Sequence, residues 1–248
     1  MSTTSQRGHG GPVRIPLAHR ERIDWHDHAE HQLIAPRLGV LRISTPTGTW
    51  AVPPHRGVWI PAGVPHAHEA YGPTEMRAIV FDRTVNPLRA DCPTVLAITP
   101  LLREVVIALT DEGDLTAGQR RNLERVVLDQ LRRVEALQVF LPSPSDPRLR
   151  DIAVILDADP ADGRTLAQLG TAVGASERTL SRLFRSETGM SFPQWRAQLR
   201  LHRSLTLLAA GASVTSIAAA CGYSGPSAFI HAFKHAFGTT PGAYGTDD

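Results

Sequence analysis

Two rhythms of apolar and polar positions divide the chain. From residue 12 to about 85, short apolar or alternating segments stand between turn residues: Leu38–Thr45, Thr49–Val52, Val58–Ile60, His66–Ala70 and Met76–Phe81, broken at Pro46-Thr47-Gly48, Pro53-Pro54, Pro61-Ala62-Gly63 and Tyr71-Gly72-Pro73. Many short strands at this spacing predict a β-sandwich or barrel. Past residue 98 the rhythm turns helical. Leu101, Leu102, Val105, Val106 and Leu109 predict a helix over 100–111. Leu123, Val126, Val127, Leu131 and Val134 predict a second over 119–138, the two meeting around Glu112–Gly118. The interleaved Arg120, Arg121, Arg125, Arg132 and Arg133 read as a solvated face. Helix–helix packing, or a dimer seam through Leu123, Val127, Leu131 and Val134, is the sharper alternative. The Pro-rich run Leu141–Pro147 reads as a stiff linker. It separates an expected sensor region, 12–140, from an expected helical region, 146–248, and the fold class is α+β.

Beyond the linker the apolar positions form two matching sets. Leu166–Val173 is an apolar segment rich in small residues that meets Gly174, takes the turn Ala175-Ser176 and leads into Glu177–Thr188. Val214–Ala220 repeats this, with Cys221-Gly222-Tyr223-Ser224 leading into Gly225–Phe237. The helix Ser176–Ser186 puts Leu180, Leu183 and Phe184 on one face and Arg178, Ser181, Arg182 and Arg185 on the other. Ser176 is its expected N-cap, with Glu177 in the first turn. In the second copy Phe229, Ala232, Phe233 and Phe237 face the core, while Ser227, Ile230, His231 and Lys234 face out, with Ser224 just before the helix. Phe192–Ala210 reads as one long helix between the copies. Either outward face alone is an ordinary amphipathic surface. Repetition of turn and outward face favours two helix-turn-helix units that enter successive major grooves of duplex DNA, about 34 Å apart.

Charge changes this picture only locally. The formal net charge is +2, which gives no whole-chain sign of a polyanionic partner. Between Arg164 and Tyr244, however, Arg164, Arg178, Arg182, Arg185, Arg196, Arg200, Arg203 and Lys234 are opposed only by Glu177 and Glu187. No apolar run is long enough to cross a bilayer, and Met1–Gly11 lacks the apolar core of a secretory signal, so a cytoplasmic protein is expected. Cys92 and Cys221 lie far apart and read as buried free thiols.

Together these residues resemble the AraC/XylS family of bacterial transcription regulators. The matching positions are Ser176-x-Arg178-x-Leu180-x-Arg182-x-Phe184, Gly189-x-Ser191, Arg200-Leu201, Ile217-Ala218 with Gly222-Tyr223, Phe229-x3-Phe233-Lys234-x2-Phe237-Gly238, and Thr240-Pro241-x2-Tyr244. The resemblance covers Arg164–Tyr244, about a third of the chain. It implies operator DNA as partner, contacted by Ser176, Glu177, Arg178, Ser181, Arg182, Arg185, Ser224, Ser227, Ile230, His231 and Lys234. It also implies RNA polymerase as a partner if the protein activates, a small-molecule effector, and a homodimer.

The N-terminal region carries His26-x-His28-x3-Gln32-x6-Gly39 and Gly57-x3-Pro61-x-Gly63-x2-His66. These resemble the two motifs of the cupin superfamily, a small β-barrel, with Gln32 standing where glutamate is usual. Residues two apart on a strand point to one side, so His26, His28 and Gln32 can face a barrel interior, with His66 arriving from a facing strand. Three imidazoles and an oxygen suit one divalent transition metal. Without metal, His26, His28, Gln32, Trp59, His66 and His68 define a pocket for an organic ligand. Trp25 and Trp50 are further candidates for its lining. His31, His55 and His68 are extra imidazoles whose simplest reading is solvation. Two other functions fit parts of the pattern: a metal-dependent cupin enzyme fused to a DNA-binding tail, and a constitutive DNA binder whose barrel only dimerises.

Overall fold

The computed structural model describes residues 11–111, 113, 115–132, 136–137, 140–237 and 240–244. The fold class is α+β, and the chain divides into two compact units, 1–45 with 52–138, and 46–51 with 139–248. No described helix is long and apolar enough to cross a membrane.

The first unit is an antiparallel sheet with two helices on one face. Its strands are β1 (Val13–Leu17), β2 (Arg22–His26), β3 (His31–Thr45), β5 (Arg56–Ile60), β6 (His66–Phe81), β7 (Thr94–Ala97) and β8 (Ala136–Leu137); β4 (Gly48–Val52) lies mostly in the second unit. The order is β1-β6-β3-β5-β7-β8, with β2 also paired to β6. The expected break at Tyr71-Gly72-Pro73 does not end a strand. β6 runs through it beside β3, and the register shifts between Pro36, Leu38 and Val40 absorb the irregularity as a bulge. Two expected strands are thus one.

Cross-strand partners share a face, so the register sorts the side chains. Leu33, Trp59 and Ile79 are mutually aligned and join the core with α1 (Pro100–Thr110) and α2 (Ala117–Leu131). Gln32, Ile60 and Val80 are aligned one residue over, on the opposite face. Both helices begin on threonine caps, Thr99 and Thr116. Val127 and Leu131 are fully buried in this core with Leu123 packed against it, so the seam expected for a dimer is filled by the protein's own sheet. Val134 lies outside the described residues, and α2 ends earlier than the periodicity predicts.

The second unit is helical: α3 (Pro147–Ala158), α4 (Leu166–Val173), α5 (Glu177–Thr188), α6 (Phe192–Ala209), α7 (Val214–Ala220) and α8 (Pro226–Phe237). The run expected as a linker is built into it. Phe140–Pro142 forms β9, paired with β4, where Trp50 stacks on Phe140 at 4.7 Å. Trp195 Nε1–H donates to the Pro142 carbonyl at 3.0 Å, and Glu187 Oε2 accepts from the Ser145 and Asp146 amides at 2.7 and 3.0 Å. Pro147 then starts α3 behind the Asp146 N-cap. Leu149, Ile152 and Leu156 on α3 complete a core with Leu166, Leu169, Leu180, Phe184 and Trp195. A second core gathers Ile217, Phe229, Phe233 and Phe237, against which Tyr244 lies edge-on to Phe233 at 4.9 Å.

Candidate nucleic-acid interface and histidine site

The pairs α4–α5 and α7–α8 are joined by turns of the same geometry. Gly174 and Gly222 both take φ of 68°, the left-handed region that a side chain disfavours. The residue after each glycine donates its amide four positions before that glycine: Ala175 to Gly170 and Tyr223 to Ala218, both at 2.9 Å. Ser176 Oγ accepts from the Thr179 amide at 3.3 Å, confirming the N-cap of α5. Glu177 in its first turn and Arg185 in its last both complement the helix dipole.

Leu180, Leu183 and Phe184 bury one face of α5. Ser176, Glu177, Arg178, Arg182 and Arg185 are exposed and Ser181 half-buried. Among the described residues, no ion pair engages Arg178, Arg182 or Arg185. On α8, Phe229, Phe233 and Phe237 are buried; Ser224 before it, Ser227, His231 and Lys234 are exposed, and Ile230 is half-buried.

The local basic excess is smaller than its count suggests, because some arginines are committed internally. Arg164 pairs with Asp162 at 2.5 Å. Arg196 donates to the Arg164 carbonyl and lies 4.3 Å from the centroid of the Phe192 ring. Arg200, on α6, donates to the Pro160 carbonyl at 2.9 Å and the Gly222 carbonyl at 3.0 Å. It thereby ties the loop before α4 to the turn before α8. A Cβ on Gly222 would lie 2.7 Å from Arg200 Nη2 and 2.8 Å from Ala161 Cα, so the close approach requires glycine. This tie is a structural feature that the outward-face pattern does not reveal. Of the two cysteines, Cys221 is buried as expected, its thiol pushed up to about 11 by that burial, whereas Cys92 is exposed.

In the first unit four histidines converge. His26 ends β2 opposite His66 at the start of β6; His68 follows on β6, and His28 stands in the turn after β2 rather than on a strand. Ring centroids are 4.4 Å apart for His26–His66, 4.9 Å for His26–His28, 5.0 Å for His66–His68 and 5.4 Å for His26–His68. Candidate ligand atoms of His26, His66 and His68 all lie within 4.8 Å of one another. His68 is fully enclosed, not solvated.

Carbonyls cannot donate, so the tautomers follow from the contacts. His26 Nδ1–H donates to the Asp24 carbonyl at 2.6 Å and His66 Nδ1–H to the Val64 carbonyl at 2.8 Å. In the neutral form of either ring Nε2 then carries the lone pair. The Nε2 atoms of His28 and His66, Nδ1 of His68 and Oε1 of Gln32 are buried without a hydrogen-bond partner. Burial, then the charge of neighbouring histidines, holds His68 well below the usual imidazole range. Burial above all takes His66 down to about 4, and burial followed by the charge on His26 also lowers His28. These rings are neutral at pH 7, the form that ligates metals, and a backbone carbonyl behind a ring is the usual support for a metal-bound histidine. The donor set therefore fits a divalent transition metal.

The other aromatic and histidine candidates are placed elsewhere. Trp59 is buried in the sheet–helix core between His31 and Phe81, on the face opposite Gln32, so it does not line the histidine site. Trp25 is 57% exposed, and Trp50 packs in the second unit. His31 is saturated, accepting from the Ala62 amide and donating to the Arg83 carbonyl. Gln32 is buried on β3, paired with Ile60 and Val80.

Comparison with known proteins places this geometry. The helix-turn-helix domain family matches residues 169–246. The HTH-type transcriptional regulator NimR of Escherichia coli is 35% identical over 224 residues, covering 88% of this chain and 81% of that protein. The HTH-type transcriptional activator RhaR of Pectobacterium atrosepticum is 28% identical over 213 residues, covering 72% and 70%. A solved transcriptional regulator of AraC-type DNA-binding class from Chromobacterium violaceum is 28% identical and covers 40% of this chain and 89% of that one, with a TM-score of 0.38. With NimR matched along most of both sequences and residues 169–246 of the helical unit matched by the domain family, the chain belongs to the AraC/XylS family and is a DNA-binding transcriptional regulator.

Proposed function

We propose that this regulator reads a two-element operator through α5 and α8, and that occupancy of the histidine site in a cupin-like N-terminal barrel controls the reading. Arg178, Arg182 and Arg185 are the principal contacts from α5. Ser227, Ile230, His231 and Lys234 are those from α8, with Ser176, Glu177, Ser181 and Ser224 at the helix entrances and rim. Arginine forks suit guanine edges and phosphates, and α6 with the Arg200 tie holds the two readers at a set spacing.

The sensing half rests on one observation: buried imidazole nitrogens that lack any hydrogen-bond partner. Leaving such groups unsatisfied costs roughly 1–3 kcal/mol each, so the site is built for an occupant. His26, His66 and His68, with His28 beside them and Gln32 as an oxygen donor, would hold a divalent transition metal. The metal would supply positive charge and a cross-link between β2, the following turn and β6. An organic effector recognised by the same nitrogens is the second occupant. A homodimer would need a surface other than Val127 and Leu131.

The test is selection of the preferred duplex from random DNA by full-length protein, chelated and zinc-loaded, followed by titration of duplexes with the gap altered by half a helical turn. We expect the half-turn change to weaken binding at least tenfold and metal to shift operator affinity. Unchanged affinity across gaps would remove the two-reader reading. Unchanged affinity and metal content after His66→Ala would remove the metal reading.

A further inference from the structure

A second polar site lies further along β6, where the sheet meets the end of α1. A cleft of 790 Å³ is lined by Pro12, Val13, Arg14, Pro16, Arg37, Arg77, Thr110 and Asp111. That volume is in the range of small-molecule sites. Its floor is Arg77, whose side chain is 2% exposed. Arg77 Nε–H donates to Glu75 at 2.8 Å, and Nη1 donates to Thr110 Oγ1 at 2.6 Å and Asp111 at 2.7 Å, at the end of α1.

The walls are less committed. Arg14, register partner of Arg77, reaches the other Glu75 oxygen at 2.9 Å. Arg37 approaches Glu75 only at 3.8 Å, beyond hydrogen-bond reach, and its side chain is 50% exposed. Glu75 thus faces three guanidiniums. Burial pushes its carboxyl up, but hydrogen bonding and charge from Arg77, then Arg14, outweigh this and hold it below the usual range. Among the described residues around the cleft, Arg14, Arg37 and Arg77 are balanced by Glu75 and Asp111, which leaves one positive charge.

We infer that this cleft binds a small organic monocarboxylate, gripped by Arg37 and Arg14 over the Arg77 floor, with its apolar body against Pro12, Val13 and Pro16. A guanidinium fork matches a carboxylate in two parallel hydrogen bonds, and one carboxylate cancels the one charge left uncompensated among the described residues. A phosphate dianion would overshoot it. Thr110 and Asp111 belong to the end of α1, so the ligand would sit where the helix joins the sheet. This inference is independent of the histidine site and of DNA reading, because neither contributes a lining residue.

The experiment is calorimetric titration of the full-length protein in EDTA without DNA, using benzoate and 2-naphthoate, with benzamide and inorganic phosphate as the neutral and dianionic comparators. We expect the carboxylates to bind at least tenfold more tightly than either comparator. Arg37→Gln should weaken carboxylate binding at least tenfold and Arg14→Gln several-fold, with thermal melting confirming that both variants fold. Arg22→Gln, whose arginine pairs with Glu69 elsewhere on the sheet, should leave binding unchanged. Equal binding of benzamide, absence of binding by both carboxylates, or full binding by folded Arg37→Gln would each overturn the inference. Tighter binding of phosphate would replace the monocarboxylate with a phosphate-bearing ligand.

Discussion

The two units treat polar side chains in opposite ways. In the N-terminal unit, imidazoles and a guanidinium are drawn inside: His66 and His68 are buried, and Arg77 lies under a carboxylate and a helix end. In the C-terminal unit the interior is mainly Leu, Phe and Trp, and unpaired arginines of α5 stand outside. A site for a small occupant must enclose its donors before the occupant arrives, and it bears their desolvation meanwhile. A DNA reader meets a large polyanion at its surface, so its charged groups stay hydrated until contact. On the proposed reading, burial of unsatisfied polar atoms and exposure of unpaired charge are two different signatures of binding in one chain.

The largest expected effect tests the apolar interior. Phe184 is fully buried, with Phe192 and Trp195 rings at 5.2 and 5.5 Å. Phe184→Ala should cost about 3–5 kcal/mol in chemical denaturation of the C-terminal unit. A loss below about 1 kcal/mol would mean that packing does not hold this lobe.

Gly222→Ala tests the tie between the two readers. The left-handed backbone and the contacts at 2.7 and 2.8 Å should together cost roughly 1–3 kcal/mol. The more telling readout is operator spacing. If Arg200 and Gly222 set the distance, the variant should tolerate a half-turn change in gap better than the parent does. An unaltered spacing preference would show that α6 alone sets the distance.

Acid should act on the other unit. His66 stands at about 4 in the folded protein against an ordinary 6.5, so between those values the unfolded chain holds more protons. Stability conferred by the neutral ring is full above pH 6.5 and falls as pH drops toward 4. Metal-stripped protein at pH 5 should lose about 2 kcal/mol from this ring, with His68 adding in the same direction. A flat denaturation midpoint from pH 7 to 5 would contradict the burial that defines the site. His66→Gln should flatten much of the slope.

The last prediction separates arginines on the exposed face. Arg182→Ala should lose roughly 1–3 kcal/mol of discrimination between specific and scrambled duplexes. A residue that contacts only phosphate should instead weaken all duplexes alike and reduce the salt slope. Competition titrations at two salt concentrations distinguish the two. If Arg178, Arg182 and Arg185 can each be replaced with no change in specific binding, α5 does not read the operator.

Local signals carried much of this architecture. The repeated apolar faces, the Ser176 cap and the glycine turns were legible because helix period and cap chemistry are encoded within a few residues. The same local logic failed at Tyr71-Gly72-Pro73, where a bulge against β3 continues a strand that turn residues alone would end. It also missed α3, although Asp146-Pro147 is a helix-start signature and Leu149, Ile152 and Leu156 keep helical spacing. A Pro-rich run reads as a linker until Glu187 and Trp195 are seen to hold it.

By itself the sequence determined the division into a strand-rich and a helical region, the two matching helix pairs and their outward arginines, and the presence of clustered histidines. Only the tertiary structure decided which side chains share a site. Register between β2 and β6 put His26 beside His66 and His68, and packing placed Trp59 in the sheet–helix core. Packing against the sheet turned Val127 and Leu131 inward, and long-range hydrogen bonds committed Arg200, counted in the local basic excess, to the protein's own carbonyls. The physical reason is range: periodicity and capping act over a few residues, whereas strand register, burial and side-chain pairing join positions that only the folded chain brings together.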